Sequence, residues 1–414
     1  MEKIRVGIFG AGPRGRSLIK PFMLLNCDIV AICDNREKEL ARAAEMIGGD
    51  VATYQDFDSF VDHEMDAVIL ANFFHEHAPY AIKCFERGLH VFSECISNGT
   101  MAEGVELVEA FEKSKSIYML AENYPQMKFN REMKRVCDSG TLGKIVYAEG
   151  EYNHPGSPWN SDFAKEYNYF DGHWRRRLPR TYYITHSLGP IMRATGATPK
   201  RVTAFSSFAP AEGDIPVGGF VGDVTAVVLT QNDDGSIFRV TGCSMYGGHH
   251  NAYRICGKRG QIENLRGMGE QIMLRYNEWD LPEGAEEINL YTPTWNDPDE
   301  EFINQSGHGG SDYLTARMFI DCIRKGVQPE HPFDIYSAVA MSSVAILSFR
   351  SVMEGGAPYD IPDFRNKDDA EKYRNDRATP FYSEGNEPTI PCCSHSDYSP
   401  TEKQIALFRE SLNK

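Results

Sequence analysis

The chain contains 414 residues, of which 41% are hydrophobic and 25% are charged, and this composition is typical of a globular protein with two sizeable domains. Its net charge of −16 argues against a nucleic-acid partner, because such proteins need a basic face. We find neither a secretory signal nor an apolar stretch of membrane-span length, and the ten cysteines form no C-x-x-C pair. We therefore expect a cytoplasmic protein with reduced thiols and no membrane contact.

The beginning of the chain predicts a strand, a glycine-rich turn and a helix. The strand is predicted over residues 4–9 and the helix over residues 16–25. The turn between them reads Gly10-Ala11-Gly12-Pro13-Arg14-Gly15. In a G-x-G-x-x-G turn, Gly10 permits the tight bend, Gly12 lets a pyrophosphate approach the backbone, and Gly15 lets the helix pack closely. Free N–H groups at the start of the helix would hold the phosphates of a dinucleotide.

A carboxylate after the second predicted strand indicates which dinucleotide binds. Residues 29–33 form an apolar strand followed by Asp34, about 20 residues after the turn, where a carboxylate holds the ribose hydroxyls. The same negative charge would repel a 2′-phosphate, so we predict NAD rather than NADP as the cofactor. Arg36 leaves NADP open, and a turn that only closes an ordinary α/β unit is the structural alternative.

The first 124 residues alternate between strands and helices, which is typical of a parallel sheet covered on both faces. Further strands are predicted at residues 51–54, 66–70, 90–94 and 117–121, and helices at residues 37–47, 75–87 and 102–113. Ligands bind outside the carboxyl ends of such strands. The polar residues predicted at those ends are Asn72, Glu94, Glu122, Asn123 and Tyr124. The predicted fold class is therefore α/β, with a doubly wound Rossmann domain at residues 1–124.

Residues 125–360 are predicted to form a second, α+β domain with a large open, mainly antiparallel sheet. The segments that predict it are a helix at 127–138, an extended stretch at 144–152, a hairpin at 223–244, a strand at 254–263, and helices at 312–324 and 335–353. We expect the last two helices to cover that sheet. A polar, aromatic-rich loop is predicted at residues 153–178. Residues 361–414 are predicted to be a C-terminal extension with one helix at 401–412.

The chain resembles the Gfo/Idh/MocA family of NAD(P)-dependent sugar oxidoreductases over roughly residues 1–355. Besides the glycine turn, the matching residues are His77-x-x-x-Ala81 in the third helix and Gly88-Leu89-His90-Val91 leading to Glu94. At the family's Glu-Lys-Pro signature, this chain reads Glu94-Cys95-Ile96. That lysine is the acid/base group of the family's dehydrogenases, and a neutral cysteine cannot supply the same proton relay.

Further motifs resemble one branch of that superfamily, the NAD-dependent glycosidases of glycoside hydrolase family 109 and their relatives, which also lack the lysine. These motifs are Glu122-Asn123-Tyr124, Tyr152-Asn153-His154, Trp174-Arg175, Tyr183-Ile184-Thr185-His186-Ser187-Leu188-Gly189-Pro190 and His308-Gly309-Gly310-Ser311-Asp312. The insert at residues 155–172 and the tail after Asp360 depart from the branch. The identity of the sugar is therefore not carried over.

The resemblance implies hydrolysis through transient oxidation of sugar C3, removal of the C2 proton, loss of the aglycone, addition of water and re-reduction. Tyr152 and His154 share one face of an extended strand. The resemblance implies that this pair either removes the C2 proton or protonates the leaving group. It also implies that His186 contacts the reacting hydroxyl, with Tyr183 on the same helical face. Glu122 completes the predicted catalytic set, because it should open into the cofactor crevice.

The remaining predicted site residues fall into two groups. The cofactor-binding residues are predicted to be Gly10, Gly12, Pro13, Arg14, Gly15, Asp34, Asn72, His77, Glu94 and Asn123. The substrate-binding residues are predicted to be Tyr124, Trp174, Arg175, Tyr183, Tyr253 and His308. No metal site is predicted, because the histidines at 75–77 and 249–250 lack i, i+4 spacing. Arg176 and Arg177 are expected to be solvated charges.

Each assignment has a structural alternative. Tyr152 and His154 could lie on a polar edge strand that faces water, and Glu122 could cap a helix or form an ion pair. His186 could be a core or capping histidine, and His308 could cap the helix that follows it. In each of these structural roles, the residue would take no part in catalysis.

Three functional hypotheses therefore remain open. The first is a NAD-dependent glycosidase that acts on a small-molecule glycoside. The second is a NAD-dependent dehydrogenase that forms a keto-sugar, and the missing lysine at position 95 argues against it. The third is a non-catalytic NAD-binding regulator, and the tyrosine and histidine set argues against that. By analogy, the exposed face of the second sheet predicts a homodimer or homotetramer.

Overall fold

The alternating N-terminal strands form a six-stranded, all-parallel sheet in the computed structural model, which describes residues 3–155, 173–383 and 385–412. The strand order is β3-β2-β1-β4-β5-β6. The strands are β1 (Ile4–Phe9), β2 (Cys27–Cys33), β3 (Ala52–Tyr54), β4 (Ala67–Leu70), β5 (His90–Ser93) and β6 (Tyr118–Leu120). This order reverses direction beside β1, so the glycine turn lies where such sheets bind dinucleotides. The Rossmann prediction is confirmed.

The helices of this sheet follow the predicted pattern. They are α1 (Pro13–Leu24), α2 (Glu37–Ile47), α3 (Phe57–Val61), α4 (His77–Glu86) and α5 (Met101–Glu112). Helix α1 begins three residues earlier than predicted, because Pro13 occupies its first turn, where a missing N–H costs nothing. Helix α5 begins with a capping box, in which the side chains of Thr100 and Glu103 bond reciprocally to backbone N–H groups.

The structure contains two compact units. The first comprises Met1–Met127, Trp295–Ser342 and Asp363–Arg377, and the second comprises Lys128–Thr294, Ser343–Pro362 and Ala378–Lys414. The sequence therefore returns twice to the first unit after leaving it. The domain boundaries predicted at residues 124 and 360 stay predictions.

The expectation that helix 312–324 covers the second sheet is wrong. In the structure this helix is α9 (Ser311–Lys325), and the helices between α5 and α9 are α6 (Lys128–Asp138), α7 (Thr185–Thr195) and α8 (Glu300–Asn304). Helix α9 places Tyr313, Phe319 and Ile320 in one core cluster with residues of β1, α1 and β2. Its apolar face thus completes the core of the Rossmann unit, a pairing that the periodicity of α9 alone cannot specify.

The second unit contains a nine-stranded mixed sheet with the order β14-β13-β12-β11-β7-β10-β9-β8-β15. Its strands are β7 (Ile145–Asn153), β8 (Pro199–Phe208), β9 (Asp223–Asn232), β10 (Ile237–Thr241), β11 (His250–Gly257), β12 (Gly260–Asn264), β13 (Ile272–Tyr276), β14 (Ile288–Tyr291) and β15 (Tyr359–Asp360). Strands β7 and β10 pair in parallel, and the other pairs are antiparallel. The predicted open, mainly antiparallel sheet is confirmed.

The predicted single strand at residues 254–263 is wrong, because it is the hairpin of β11 and β12. Its glycines mark the turn and close approaches of the backbone. A Cβ atom at Gly257 would lie 2.1 Å from the Leu142 carbonyl oxygen, and one at Gly260 would lie 2.3 Å from the Arg275 carbonyl oxygen. The predicted hairpin of β9 and β10 is present. Residues 156–172 of the predicted loop at 153–178 lie outside the described residues.

Three helices lie near the end of the chain: α10 (Ile335–Met353), α11 (Lys367–Glu371) and α12 (Glu402–Leu412). The sequence predicted α10 with these same bounds. Among the described residues, α10 alone is long and apolar enough to cross a membrane, whereas the sequence analysis found no apolar stretch of that length. Most of α10 is buried inside the protein, as in the core helix of a globular domain. Four short 3₁₀ helices complete the described elements, at Tyr124–Gln126, Trp174–Arg177, Glu278–Asp280 and His308–Gly310.

Candidate functional site

The three glycines of the first turn occupy positions where larger side chains would collide or intrude. Gly10 has a φ angle of 95°, and a Cβ atom there would lie 2.4 Å from the Ala71 carbonyl oxygen. A Cβ atom at Gly15 would lie 1.9 Å from the Gly10 carbonyl oxygen. At Gly12, by contrast, a Cβ atom would have one neighbour within 4 Å among the described residues beyond the adjacent ones in the chain, Arg36 Nη2 at 3.5 Å. Gly10 and Gly15 therefore shape the turn, whereas Gly12 leaves space beside the backbone.

Helix α1 begins directly behind that space. Gly12 is its N-cap, and among the described residues no side chain caps the helix. Its first N–H groups point out of the helix end, where the helix dipole favours negative charge. A pyrophosphate fits this combination of open space and N–H donors, because it needs both.

Asp34, which directly follows β2, holds the same turn through a hydrogen bond to its backbone. Its Oδ2 accepts a hydrogen bond of 2.9 Å from the Ala11 N–H, and its Oδ1 accepts one of 2.9 Å from the Arg36 N–H. The Asp34 side chain is buried, and Arg36 Nε lies 3.4 Å from its Oδ1. Both the carboxylate that disfavours a 2′-phosphate and a guanidinium that would favour one are thus close to the turn. The contact of Asp34 with ribose stays a prediction.

A buried ionic network joins five residues of the first unit. Asp312 Oδ1 accepts hydrogen bonds from Arg14 Nη1 at 3.0 Å and from Asn123 Nδ2 at 2.7 Å. Asp312 Oδ2 accepts one from His308 Nδ1 at 2.9 Å, and Arg14 Nε also donates to Glu94 Oε1 at 2.7 Å. Burial alone would raise the pKa of Asp312, but the Arg14 charge and the His308 hydrogen bond hold that pKa well below its ordinary value.

The structure thus brings three predicted site residues, Arg14, Asn123 and His308, onto Asp312, and Glu94 joins them through Arg14. The sequence prediction did not assign Asp312 to the site. The available signal was its place in the motif His308-Gly309-Gly310-Ser311-Asp312, one helical turn after His308. Its position in α9 was missed because that helix was expected in the other domain.

Asn72 and His77 support the backbone around the turn. The Asn72 N–H nitrogen would lie 2.5 Å from a Cβ atom at Gly10, and its side-chain Nδ2 donates to the Glu76 carbonyl oxygen at 3.3 Å. His77 is 1% exposed, and its Nδ1 lies 2.7 Å from the Ile96 carbonyl oxygen. Burial lowers the pKa of His77 to about 4, so the ring is neutral at pH 7. Their contacts with cofactor stay predictions.

Cys95, at the position of the family lysine, lies against a buried carboxylate. Its Sγ donates a hydrogen bond of 3.3 Å to Glu122 Oε2, and Glu122 Oε1 accepts one of 3.1 Å from the Tyr124 N–H. The ring centroid of Tyr124 lies 6.1 Å from that of His308. The thiol and carboxylate therefore belong to the same edge of the first unit as the ionic network.

Four aromatic rings form a cluster in the second unit. The ring centroids of Tyr152 and His186 are 5.0 Å apart, those of Tyr183 and His186 are 5.2 Å apart, and those of Tyr152 and His154 are 5.6 Å apart. Tyr152 and Tyr183 are 5.8 Å apart. Tyr152 lies on β7 and His154 directly follows that strand, whereas His186 lies in the first turn of α7 and Tyr183 in the turn before it. The expectation that Tyr183 lies on the same helical face as His186 is therefore wrong, because the helix begins at Thr185. The strand and the helix can approach closely because Gly150 has no side chain: a Cβ atom there would lie 1.9 Å from the Ser187 carbonyl oxygen.

A fifth ring, His249, extends this cluster and was not predicted. Its Nε2 lies 3.2 Å from His154 Nδ1, and its Nδ1 lies 3.0 Å from the Asn153 carbonyl oxygen. Sequence reasoning considered His249 only as a metal ligand, because the antiparallel register of β7 and β11 was not known. The aromatic cluster, as used below, comprises Tyr152, His154, Tyr183, His186 and His249.

Tyr253 occupies a supporting position. It was predicted to form a substrate wall, but its side chain is 2% exposed and its hydroxyl donates a 2.5 Å hydrogen bond to the His186 carbonyl oxygen. The ring also stacks on Phe129, with centroids 6.0 Å apart. These contacts hold the backbone of His186.

Trp174 was predicted to offer an open platform for a sugar. The indole is 8% exposed, the Arg175 guanidinium lies 4.4 Å from its ring, and His173 stacks at 5.7 Å between centroids. The indole is thus partly covered within the chain itself. The expectation that Arg176 is a solvated charge is wrong, because Arg176 is 3% exposed and its Nε donates to the Gly218 carbonyl oxygen at 2.6 Å.

Among the described residues, no group of three or more His, Cys, Asp or Glu side chains could hold a metal ion. The acid/base candidates of the second unit are the aromatic cluster, and those of the first unit are Glu122 and the network around Asp312.

Three family models match the chain. Residues 4–122 match "Oxidoreductase family, NAD-binding Rossmann fold", residues 130–263 match "GFO/IDH/MocA C-terminal domain", and residues 219–369 match "Glycosyl hydrolase 109, C-terminal domain". The chain therefore belongs to the Gfo/Idh/MocA superfamily of NAD-binding enzymes, and NAD is its cofactor. The third match is to a model of the glycosyl hydrolase 109 branch, which the motifs also predicted.

Curated relatives agree with this assignment. A glycosyl hydrolase family 109 protein of Saccharopolyspora erythraea is 27% identical over 406 residues, covering 88% of this chain and 83% of the relative. One from Streptomyces filamentosus is 26% identical over 400 residues, covering 87% of this chain and 77% of the relative.

Solved structures share the fold. A levoglucosan dehydrogenase in complex with NADH and L-sorbose has a TM-score of 0.71 and 18% identity, with 88% of this chain and all of that chain covered. A myo-inositol 2-dehydrogenase from Lactobacillus plantarum has a TM-score of 0.63 and 20% identity, with 87% and 100% covered. At these identities the likeness concerns the fold alone.

Proposed function

We propose that this protein is a NAD-dependent glycoside hydrolase. The observation that carries the proposal is the aromatic cluster, in which two tyrosines and two histidines from the end of β7 and the start of α7 lie with ring centroids 5.0 to 5.8 Å apart. A purely structural cluster of this kind would need no titratable groups. Phenol and imidazole are proton carriers, and imidazole changes its charge near neutral pH.

Bound NAD supplies the capacity to remove a hydride from a sugar carbon and to return it. A ketone at C3 acidifies the neighbouring C2–H, so a base of modest strength can remove that proton. We assign the removal of this proton, or protonation of the leaving group, to Tyr152 and His154. Loss of the aglycone from C1, addition of water and re-reduction would complete hydrolysis.

The contacts around the cluster suit proton handling. His249 lies within hydrogen-bonding distance of His154 and can pass a proton onward from it. Tyr253 fixes the backbone of His186 through a 2.5 Å hydrogen bond, so the His186 ring is held beside Tyr152. Preorganised groups of this kind lower the cost of reaching the reactive geometry.

A dehydrogenase that forms a keto-sugar is the second candidate. It is favoured by one observation, the buried Glu122 carboxylate in contact with Cys95, because that carboxylate could replace the absent lysine as a base. Against it, a neutral thiol at position 95 provides neither the cation nor the proton relay of a lysine.

One experiment separates these functions. The purified protein is incubated with aryl α- and β-glycosides of several sugars, while aglycone release and NADH absorbance are followed together. The proposal expects aglycone release without net NADH. NADH formed in proportion to substrate without aglycone would support the dehydrogenase and overturn the hydrolase.

The same panel tests the elimination route. Because the C1 bond would break from an enolate, the anomeric configuration should matter less than in a direct displacement. We expect both α- and β-linked substrates to be cleaved, with rates within about tenfold of each other. Cleavage of one anomer alone would contradict an elimination.

We further propose that the protein forms a homo-oligomer through the open face of its second sheet and acts in the cytoplasm, without membrane or nucleic-acid partners. Phe205, Leu229 and Ile237 on that face are 63%, 42% and 48% exposed. Beside them, Glu149 pairs with Arg239 and Arg254 at 3.0 and 2.5 Å. A face with both charges and apolar residues can be self-complementary about a twofold axis. Light scattering after gel filtration would show the mass of a dimer or tetramer.

A further inference from the structure

His308 is presented by an unusual backbone segment of the first unit. Its φ angle is 52°, and the next two residues, Gly309 and Gly310, have φ angles of 64° and 90° before α9 begins. A residue with a side chain is uncommon in this left-handed region, and such residues concentrate at functional sites. The His308 side chain is 45% exposed, so the segment lifts its ring towards solvent instead of burying it.

The hydrogen bond from His308 to Asp312 fixes which ring nitrogen carries the proton. Asp312 is 1% exposed, and its pKa is held below the ordinary value by the Arg14 charge despite burial, so it is a carboxylate that can only accept. Nδ1 of His308, 2.9 Å from Asp312 Oδ2, must therefore donate. In the neutral ring, Nε2 is then left with a lone pair, ready to accept a proton.

The carboxylate itself is held from several sides. Arg14 and Asn123 occupy Oδ1, at 3.0 and 2.7 Å. A Cβ atom at Gly307 would lie 2.6 Å from Oδ2, so glycine leaves the space that the carboxylate needs. The groups around His308 are thus Asp312 on the helix that follows it, the Arg14–Glu94 pair next to Asp312, and Asn123 and Tyr124 from the segment after β6.

These partners also locate the histidine. Glu94 follows β5 and Asn123 follows β6, so His308 lies at the carboxyl edge of the parallel sheet, where ligands of this fold bind. Cys95 and Glu122 lie at the same edge. The position of the absent lysine and the His308–Asp312 pair therefore belong to one edge of one unit.

We infer that His308 is the proton acceptor for the sugar hydroxyl that is oxidised, and that Asp312 is its positioning residue. The inference rests on the proposed function and names a base in the first unit for its oxidative step. Oxidation of a carbinol to a ketone releases a hydride, which NAD⁺ accepts, and the hydroxyl proton, which Nε2 of His308 accepts. Re-reduction returns both, so the histidine ends as it began. Asp312 stabilises the imidazolium formed in between, as a carboxylate partner of a catalytic histidine does.

The test compares His308→Gln with His63→Gln, because His63 is another partly exposed histidine of the first unit, hydrogen bonded to Tyr54 at 2.9 Å. We measure NADH formation in a single turnover, aglycone release, and NADH affinity by fluorescence titration. We expect His308→Gln to slow both rates by about 100-fold or more, the usual contribution of a general base, with NADH affinity within about twofold of wild type. His63→Gln should behave as wild type.

The variant Asp312→Asn allows a measurement whose result would stay the same if Asp312 were only a structural residue. Loss of the carboxylate removes the acceptor that holds the proton on Nδ1, so in Asp312→Asn a larger share of the neutral ring should carry its proton on Nε2. In ¹⁵N NMR of the ring nitrogens, assigned with His308→Gln, the wild type should carry its proton on Nδ1.

Three results would overturn the inference. They are a rate in His308→Gln within threefold of His63→Gln, a rate loss that NADH affinity fully explains, and a ring proton on Nε2 in the wild type. Failure of the glycosidase proposal is distinguishable, because NADH formation from free sugars reports the oxidative step in a dehydrogenase as well. The NMR result needs no turnover.

Discussion

The glycine turn and the aromatic cluster, the two candidate ligand-binding regions of this protein, are built in different ways. The nucleotide turn is a run of six consecutive residues whose function depends on backbone shape, and a single Cβ atom at Gly15 would collide with the Gly10 carbonyl oxygen. The aromatic cluster is assembled from side chains of three separate segments, at the end of β7, at the start of α7 and directly before β11. A region defined by backbone shape should respond to added atoms, whereas one defined by side chains should respond to lost functional groups.

The largest effect is expected from Tyr152→Phe, which removes one hydroxyl and leaves the ring packing in place. If Tyr152 moves a proton, aglycone release should fall by about 100- to 10,000-fold, with NADH affinity unchanged. Tyr147→Phe is the matched control, because Tyr147 lies on the same strand and its hydroxyl donates to Glu149 Oε1 at 2.8 Å. Unchanged turnover in Tyr152→Phe would remove the residue from the mechanism.

The next effect concerns a side chain that supports the nucleotide unit. Burial lowers the pKa of His77 to about 4 from an ordinary value near 6.5, so unfolding takes up a proton when the pH lies between about 4 and 6.5. The stabilising contribution of the neutral ring is therefore complete above pH 6.5 and is lost as the pH falls towards 4. The loss should amount to about 3 kcal/mol in the free energy of unfolding.

Urea denaturation at pH 7 and pH 4.5 measures this loss in wild type, His77→Asn and His63→Asn. The pH-dependent loss of stability should be smaller in His77→Asn than in the other two proteins. Equal losses in all three would mean that the buried ring of His77 does not resist protonation.

The smallest effect is expected from Gly12→Ala, which tests whether the glycine turn binds the cofactor through the shape of its backbone. Its φ and ψ angles of −63° and −175° suit alanine, and no protein atom lies closer than 3.5 Å to the added Cβ. Stability should therefore change little, while the methyl group takes space needed by pyrophosphate and weakens NADH binding by about tenfold, or 1.4 kcal/mol. Gly15→Ala should instead lower the thermal midpoint, because its Cβ collides with the turn. Full NADH affinity in Gly12→Ala would refute the proposed cradle.

The same contrast explains what could be predicted from the sequence. Strand β1, the glycine turn and Asp34 were predictable because their determinants are adjacent in the chain and their spacing has one physical explanation. The placement of Tyr152 and His154 on one face also followed from the strand period. Each of these inferences needs only local geometry.

What could not be predicted depends on long-range pairing. His249 reaches His154 only through the register of β7 and β11, and Asp312 reaches Arg14 only because α9 packs on the Rossmann core. Arg176 was misjudged for a related reason, since a run of three arginines shows charge but not which one finds a carbonyl acceptor inside the protein. Pattern and composition carry no information about such partners.

The return of residues 295–342 to the first unit has a consequence for biosynthesis. The core around β1 and α1 includes Phe319 and Phe333, and the Leu120 N–H donates to the Phe333 carbonyl oxygen at 2.9 Å. A ribosome makes these residues roughly 300 positions after the glycine turn, at a pace that leaves on the order of ten seconds or more between them. The core of the nucleotide-binding unit therefore stays incomplete, with apolar surface exposed, until most of the polypeptide has been synthesised.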